Sequence, residues 1–308
     1  YNWGVYMDPE VLDDFTEETG IEVLYEEYPT NEDMYVRLKA GSGDYDLIFP
    51  SDYMIEKLIA EDMLLPLDWD NIPNAKNIDP SLMGLDYDPD NTYSVPYFWG
   101  TVGMIYNTDM VQEPVTSWDI LWDEQYAKQI IMINSPRDSI GIALQRLGYS
   151  MNSHDVNELE AAKESLLEQK PLVLAYVVDE VRDMMLAGEG AIAVVWSGEG
   201  IWIDREAENL KYVVPEDGTN LWVDAAVIPK TAKNKEAAEK FIDFICRPDI
   251  AARISDYVGY STPNIPAKDL LPQDIVNHPA AYVDADYIEK CEIFRNPGDF
   301  LSEYDRVW

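Results

Sequence analysis

Short apolar runs alternate with amphipathic helical stretches along most of the chain. Residues 225–229 are apolar throughout and end at a proline, which is the pattern of a buried strand. After Asp8-Pro9, an N-cap followed by proline at the first helical position, apolar residues recur at helical spacing from Val11 until Gly20. Because strand and helix patterns keep alternating, the sequence predicts an α/β fold.

Polar turns follow several of the predicted strands. The strands are expected at residues 21–25, 46–49, 130–133, 172–177 and 191–195. In open α/β sheets, ligands bind at the carboxyl ends of the strands. Ser51, Asp52 and Tyr53, which lie where the strand at 46–49 gives way to a helix, are therefore candidate binding residues.

The length and two extended crossings predict two lobes. At 308 residues the chain is long for one hydrophobic core. An extended apolar segment follows Trp99, and the chain crosses back after Trp222. We expect lobe I to comprise residues 1–99 and 223–268, and lobe II to comprise residues 100–222 and 269–308.

Trp222 and Asp224 stand two residues apart at the start of the apolar run. In an extended strand they point to the same side, so one surface carries an aromatic ring beside a carboxylate. Such a pair suits an organic cation, because the ring face attracts the charge and the carboxylate pairs with its N–H groups. The alternative is a core tryptophan next to a solvated aspartate.

The charge of the chain is strongly negative, with 22 Lys+Arg against 59 Asp+Glu and a formal net charge of −37. Phosphate binding needs the opposite sign, so nucleic acid is excluded as an expected partner. The same field attracts cations from a distance. Solubility or a salt-adapted surface is the alternative explanation.

Cysteine and histidine are scarce. The two cysteines, Cys246 and Cys291, form neither a metal pattern nor a disulfide framework. The two histidines, His154 and His278, lie far apart in polar surroundings, which argues against a histidine-based catalytic or zinc site. No apolar run approaches the roughly 20 residues that span a bilayer. The chain opens at Tyr1, and we interpret it as a mature form whose export signal, if any, has been removed.

A set of short segments, taken together, resembles one protein family. The segments are Tyr1-Asn2-Trp3-x-x-Tyr6, Asn31-Glu32-x-Met34-Tyr35, Pro50-Ser51-x-Tyr53, Trp99-Gly100-Thr101, Trp222-x-Asp224, Lys233-Asn234-Lys235-Glu236 and Gly259-Tyr260-x-Thr262-Pro263-Asn264. In order and at matching separations from end to end, they are similar to the spermidine/putrescine-binding proteins, which are the solute receptors of bacterial polyamine ABC transporters.

The resemblance implies a type II periplasmic-binding fold, with two α/β lobes joined by crossings near residues 99 and 223. It implies that a linear polyamine, spermidine and/or putrescine, lies in the cleft between the lobes. It further implies a receptor that is not an enzyme, uses no cofactor or metal, and acts as a monomer outside the cytoplasm, in the periplasm or as a cell-surface lipoprotein. Its partner would be the membrane permease of an ABC transporter.

Carried over position by position, the resemblance implies a specific set of ligand contacts. The aromatic residues would be Trp3, Tyr6, Tyr53, Trp196, Trp222 and Tyr260. The carboxylates would be Asp138 and Asp224, with Ser51 as a polar contact.

Three positions depart from the family pattern. Val5 stands where the family usually has a carboxylate shortly after the first Trp, Ser135 where it commonly has Asp, and Phe294 where it has Gln. Ser135 and Phe294 remain possible contacts, and we expect Asp52 to supply the missing charge if it faces the ligand. These departures bear on which polyamine is preferred.

Two other functions compete with this interpretation. A carboxylate-pair hydrolase acting on sugars would use Asp138 and Asp224. A receptor for ferric ion or a sugar is the other alternative. Iron receptors of similar architecture use an adjacent Tyr pair, which this sequence lacks, and sugar receptors do not need the acidic residues.

Overall fold

The computed structural model describes residues 1–308 as two compact units. The first unit comprises Tyr1–Trp99 and Trp222–Val276, and the second comprises Gly100–Leu221 and Asn277–Trp308. Trp222 and residues 269–276 thus lie in the first unit, whereas the sequence pattern assigned them to the second lobe.

Nine strands and thirteen α-helices make up the chain. The strands are β1 (Asn2–Trp3), β2 (Glu27–Tyr28), β3 (Leu64–Leu65), β4 (Ser94–Asn107), β5 (Ile130–Ile133), β6 (Val173–Val177), β7 (Ile192–Trp196), β8 (Leu210–Val213) and β9 (Leu221–Pro229). The helices are α1 (Pro9–Thr19), α2 (Asn31–Lys39), α3 (Asp52–Ala60), α4 (Pro136–Arg146), α5 (Val156–Gln169), α6 (Val181–Leu186), α7 (Ser197–Glu206), α8 (Lys235–Ile245), α9 (Pro248–Val258), α10 (Ile265–Lys268), α11 (Gln273–Val276), α12 (Ala285–Ile288) and α13 (Leu301–Val307). Short 3₁₀ helices lie at Trp69–Asn71, Pro73–Asn77, Pro80–Leu82, Trp118–Trp122, Glu124–Tyr126 and Gly298–Phe300.

The first helix forms as its local sequence predicts. The Asp8 side chain accepts a hydrogen bond from the Glu10 amide at the N-terminus of α1, and Pro9 occupies the first turn. Val11 and Phe15 face the core. Gly20 ends the helix at φ 72°, a left-handed conformation that costs glycine little.

The first unit is built around β9, whose residues are all buried. β9 pairs antiparallel with β3, and single bridges join it to Ile48 at Val227 and to Ser51 at Asp224. β1 and β2 form a separate parallel pair. The segment that carries Ser51 is therefore held against the middle of β9, which fixes Ser51 beside Asp224.

Two predicted strands do not form regular ladders. Residues 46–49 contribute only the bridge at Ile48, because Pro50 has no N–H to continue the pairing toward Ser51. Residues 21–25 are unpaired, and the parallel pairing with β1 begins instead at Glu27. Since β1 is two residues long, it offers no further partner to that segment.

The second unit contains a mixed sheet with β5 between the parallel strands β6 and β7. The second half of β4 pairs antiparallel with β7 and β8. All four residues of β5 are buried, as expected of a strand covered on both faces. Helices α4, α5 and α13 pack together on buried residues such as Ile140 and Leu144. The end of β5 leads into α4, which carries Asp138 in its first turn.

None of the helices combines the length and the apolar character that crossing a membrane requires.

Candidate ligand-binding site

Asp224 is the one charged residue of β9 and is buried there, with 6% of its surface exposed. The Tyr6 hydroxyl donates a hydrogen bond of 2.7 Å to Asp224 Oδ2. Ser51 is held beside Asp224 by a backbone bridge and favours the ionised form of its carboxylate. Asp224 Oδ1 is buried and has no protein donor within hydrogen-bond distance. One oxygen of this carboxylate is thus held by Tyr6, and the other is buried without a hydrogen-bond partner.

Burial governs the electrostatics of this carboxylate. Desolvation raises the pKa of Asp224 to about 6, and the hydrogen bonds from Ser51 and Tyr6 oppose that rise. Burial, followed by the nearby Asp224 charge, raises the pKa of Tyr6 well above its usual range. Tyr6 therefore remains a protonated donor at any physiological pH. A cation at Oδ1 would relieve the cost of keeping Asp224 ionised.

An aromatic cluster surrounds the Tyr6–Asp224 pair. The Tyr260 ring lies edge-on to both Tyr6 and Trp222, with centroid distances of 5.7 and 5.3 Å. Phe98 contacts Tyr6 at 5.1 Å, and the Tyr97 hydroxyl donates to the Tyr6 carbonyl oxygen at 2.6 Å. Tyr6, Trp222, Asp224 and Tyr260, expected from sequence to share a site, are brought together here.

Tyr97 and Phe98 belong to the same cluster and were not predicted as site residues. The run Tyr97-Phe98-Trp99 is aromatic, but its sequence pattern predicts only an extended segment that crosses between the lobes. Its place beside Tyr6 depends on a pairing that is distant in sequence.

Trp3 ends β1, and Val5 lies in the turn between β1 and Tyr6. The Trp3 indole donates to the Phe49 carbonyl oxygen at 2.8 Å, and its ring lies 4.8 Å from that of Tyr28. Val5 is 72% exposed and has φ 51°, a left-handed conformation that a β-branched residue rarely adopts. Such strain costs on the order of 1–3 kcal/mol and is concentrated at functional sites. Here it falls next to Tyr6, in the loop that sets the position of the phenol.

Asn31 orients two of the predicted contacts. Its Oδ1 accepts the Ser51 N–H at 3.2 Å, and its Nδ2 donates to the Tyr53 hydroxyl at 3.0 Å. The Tyr53 hydroxyl in turn donates to Glu32 Oε1 at 3.0 Å. Asn31 was recognised as part of a matching segment but not as a site residue, because its side-chain partners are far away in the sequence.

Asp52 has a structural role in this geometry. It is 1% exposed, its Oδ2 accepts the Val223 N–H at 3.0 Å, and its Oδ1 accepts the Tyr53 N–H at 2.7 Å. Both carboxylate oxygens therefore fasten the start of α3 and the strand β9. The geometry does not support the expectation that Asp52 supplies charge to a ligand.

Asp138 is a second buried carboxylate, in the second unit. It is 5% exposed, and Ser135 and Trp196 lie near enough to favour the ionised form of its carboxylate. Asp138 Oδ1 is buried without a protein partner. Desolvation raises the pKa of Asp138 to about 6, and Ser135, Arg137 and Trp196 oppose the rise.

Ser135 and Trp196 act on this site through Asp138. Ser135 is the N-cap of α4, and its Oγ accepts the Asp138 N–H at 3.4 Å. Trp196 ends β7 and precedes α7, so both residues lie where a strand meets a helix. Ser135 therefore supports the carboxylate, although the family commonly places an Asp at its position.

Phe294 is engaged by the neighbouring arginine. It is 4% exposed, and the Arg137 guanidinium lies 4.7 Å from its ring and 4.6 Å from that of Tyr304. The lack of a side chain at Gly141 leaves room for the Phe294 ring, which would lie 3.3 Å from a β-carbon there. The Phe294 ring thus packs against two residues of α4, Gly141 and Arg137.

The chain has the α/β architecture of a solute receptor, and residues 10–282 match the bacterial extracellular solute-binding proteins. It belongs to this family. The spermidine/putrescine-binding periplasmic protein of Salmonella typhimurium is 38% identical over 310 aligned residues, which cover 100% of this chain and 89% of that protein.

Solved structures agree with this family. The spermidine/putrescine ABC transporter substrate-binding protein PotD of Streptococcus pneumoniae is 42% identical, with a TM-score of 0.87 over 100% of this chain and 98% of that one. The TpPotD lipoprotein of Treponema pallidum is 26% identical, with a TM-score of 0.91 over 100% and 97% of the two chains. The resemblance inferred from the sequence motifs and the predicted fold class are confirmed.

Proposed function

We propose that this protein captures a linear polyamine, spermidine or putrescine, outside the cytoplasm and delivers it unchanged to the membrane permease of an ABC importer. The observation that carries the proposal is a pair of buried carboxylates, Asp138 and Asp224, each with one oxygen that has no protein donor. Two relatives that are named for binding or transporting spermidine and putrescine support the same ligand class.

The carboxylates match the chemistry of an ammonium group. Burying an ammonium without a partner is costly, and so is burying an ionised carboxylate. Because the pKa values of Asp138 and Asp224 are about 6, both are mostly ionised at neutral pH although they are desolvated. An ammonium at each open oxygen offsets both costs. At an effective dielectric constant near 20, a charge pair at about 4 Å contributes roughly 4 kcal/mol.

The aromatic residues match the rest of the ligand. A polyamine carries methylene segments between its ammonium groups, and ring faces both cover methylenes and attract cations. Each ring face over a cation contributes about 0.5–2 kcal/mol. Trp222 and Tyr260 supply such surface beside Asp224, and Trp196 supplies it beside Asp138.

The net charge of −37 favours capture of a polycation before any specific contact forms. A field of this sign raises the association rate and loses strength as salt rises. We expect the association rate constant for spermidine to fall with ionic strength more steeply than that for putrescine, because spermidine carries more charge.

The proposed ligand contacts retain most of the residues predicted from sequence. They are Trp3, Tyr6, Ser51, Tyr53, Asp138, Trp196, Trp222, Asp224 and Tyr260. We assign Asp52 and Ser135 to holding the contacts in place, and Phe294 to packing against Arg137. We predict that one ligand contacts residues of both units. If so, Asp138→Asn and Asp224→Asn should each weaken binding of the same polyamine.

The cellular setting is proposed from the relatives. The relative from Salmonella typhimurium is named a periplasmic protein, that from Streptococcus pneumoniae an ABC transporter substrate-binding protein, and that from Treponema pallidum a lipoprotein. We propose an extracytoplasmic, monomeric receptor whose partner is a membrane permease.

Calorimetric titration tests the proposal. The protein is unfolded, freed of co-purified ligand by dialysis, refolded, and titrated with putrescine, spermidine and spermine. We expect one ligand per chain for at least one polyamine, recovered chemically unchanged by chromatography. Absence of binding to all three, or conversion of the ligand, contradicts the proposal. An oligosaccharide panel, incubated in parallel, tests the competing hydrolase function.

A further inference from the structure

The turn at Gly4 and Val5 has a backbone conformation that its own side chains do not explain. Val5 has φ 51°, in the left-handed region that β-branched residues avoid because their branched side chain crowds the backbone. Its side chain is 72% exposed, so burial of apolar surface does little to offset the strain. Strained backbone persists only where the surrounding structure fixes it. The contacts that fix Val5 therefore come from its chain neighbours or from another segment.

Both ends of this turn are anchored in the first unit. On one side, the Trp3 indole donates to the Phe49 carbonyl oxygen at 2.8 Å. On the other side, the buried Tyr6 hydroxyl donates to Asp224 Oδ2 at 2.7 Å. Only two residues connect these anchors, so the position of the Tyr6 phenol depends on the conformation of Val5.

Glu27 contacts the turn from a different strand. Its Oε1 accepts the Val5 N–H at 3.3 Å, and its Oε2 would lie 3.9 Å from a β-carbon at Gly4. The backbone of Glu27 is fixed by the parallel pairing of β2 with β1, in which Glu27 lies opposite Asn2. The next residue of β2, Tyr28, is buried. The Glu27 carboxylate therefore lies against the turn and accepts the N–H of the strained residue.

We propose that Glu27 is a positioning residue of the ligand-binding site, which holds the strained turn through the Val5 N–H and thereby keeps the Tyr6 hydroxyl on Asp224. This inference rests on the proposed function and adds a residue that lies outside the set of ligand contacts. Glu27 acts as a hydrogen-bond acceptor, and its charge is not what the site requires.

The consequence for binding follows from the population of the competent site. Without the acceptor at Glu27, Val5 relaxes toward negative φ in part of the molecules, and Tyr6 moves with it. When only a fraction of the molecules has a competent site, the apparent dissociation constant rises by the inverse of that fraction. Loss of the acceptor should therefore weaken binding without removing any ligand contact.

Two substitutions at Glu27 separate the acceptor from the charge. Glu27→Ala removes both, whereas Glu27→Gln removes the charge and keeps an acceptor oxygen. In calorimetric titrations of ligand-free protein with spermidine, we expect Glu27→Ala to raise the dissociation constant about three- to tenfold and Glu27→Gln to raise it less than about twofold. Equal losses in the two variants would mean that the charge acts on the ligand, which overturns the inference.

Glu26→Ala is the matched control. Glu26 is the neighbouring exposed glutamate, so its substitution changes the net charge by the same amount. Its Oε2 accepts the Tyr45 hydroxyl at 2.9 Å and pairs with Arg37 at 3.2 Å. We expect Glu26→Ala to change the dissociation constant for spermidine by less than about twofold. A loss as large as that of Glu27→Ala contradicts the role assigned to the Glu27 contact with Val5.

Rescue at Val5 tests the assigned cause. Glycine adopts positive φ at little cost, so Val5→Gly removes the strain that Glu27 holds. In the Glu27→Ala background, adding Val5→Gly should return the dissociation constant to within about twofold of that of Val5→Gly alone. Val5→Asn serves the same purpose if the glycine variant does not fold, because asparagine tolerates the left-handed conformation.

A general contribution of Glu27 to stability would not produce this rescue. No loss of affinity in Glu27→Ala, or a loss that neither Val5 substitution restores, overturns the inference and leaves the proposed function intact. Failure of the wild-type protein to bind putrescine, spermidine and spermine overturns the proposed function itself.

Discussion

The buried charge of Asp224 lowers the stability of the ligand-free fold but strengthens the binding of a cation. One substitution distinguishes the two effects. Asp224→Asn keeps the size of the side chain and an acceptor for the Tyr6 hydroxyl, which lies 2.7 Å from Oδ2. It removes only the negative charge. We expect this variant to lose polyamine affinity while its ligand-free fold becomes no less stable.

The effect on stability follows from the pKa of Asp224. Burial raises that pKa from 3.8 to about 6, so ionised Asp224 destabilises the ligand-free fold by about 3 kcal/mol at pH 8. The substitution removes this cost. It places an amide N–H₂ where Oδ1 has no protein donor, and an unpaired buried donor costs about 1–3 kcal/mol. The net change is therefore between zero and a gain of about 2 kcal/mol.

The effect on binding has the other sign. Removing the charge leaves a buried ammonium without its partner, which costs about 2–5 kcal/mol. The dissociation constant should rise by roughly 30-fold to several thousand-fold. Titration calorimetry measures the affinity, and urea unfolding of ligand-free protein at pH 8 measures the stability.

Asp88→Asn is the matched control for this pair of measurements. Asp88 is also a buried carboxylate of the first unit, but its oxygens accept the N–H groups of Thr92, Tyr93 and Ser94 and the Ser94 hydroxyl at 2.7–3.0 Å. Its substitution should lower stability by about 1–3 kcal/mol and leave the affinity of the folded protein unchanged. The reasoning is refuted if Asp224→Asn behaves like this control.

Three further predictions follow from the same site. Trp222→Ala should raise the dissociation constant less than Asp224→Ala does, because a ring face contributes about 0.5–2 kcal/mol whereas loss of the charge leaves an ammonium unpaired. Calorimetry that finds weaker binding in Trp222→Ala than in Asp224→Ala contradicts this prediction. Burial raises the pKa of Asp224, so between pH 4 and 6 the folded state binds more protons than the unfolded state. The unfolding free energy of the wild-type protein, measured relative to that of Asp224→Asn, should therefore fall as the pH rises through that window. A difference between the two proteins that is constant with pH in urea titrations counts against the raised pKa. Asp52→Asn should lower stability and affect spermidine and putrescine by the same factor, because Asp52 holds the Val223 and Tyr53 amides; a loss confined to spermidine in paired titrations would restore Asp52 as a ligand contact.

Features with local causes could be predicted from the sequence. The helix from Pro9 to Thr19 was identified by its capping aspartate and its terminal glycine, which act over a few residues. The joint location of Trp222 and Asp224 followed from the alternation of an extended strand. The family motifs predicted that Tyr6 and Tyr260 share a site, and the structure places their rings 5.7 Å apart.

Features that depend on distant pairing could not be predicted. The ladder between residues 46–49 and β9 is interrupted because Pro50 lacks an N–H, although the sequence there reads as a strand. The sequence does not show whether the Asp52 carboxylate faces a ligand. In the structure it accepts a hydrogen bond from the N–H of Val223, a residue that is distant in the sequence. The role of Asn31 depends on contacts with Ser51 and Tyr53, which no local pattern records.

The central claim is that an ammonium group pairs with each desolvated carboxylate, and proton release on binding tests it most directly. Near pH 6, where the pKa values of Asp138 and Asp224 lie, each carboxyl group is about half protonated in the ligand-free protein. Pairing with an ammonium favours the ionised form, so spermidine should displace up to about one proton in total from the two groups. Calorimetric titrations at pH 6 in two buffers of different ionisation enthalpy give the number released. We predict a net release that falls toward zero at pH 8 and is about halved in Asp224→Asn at pH 6. Binding of spermidine with no proton release at pH 6, or with proton uptake, would contradict the account.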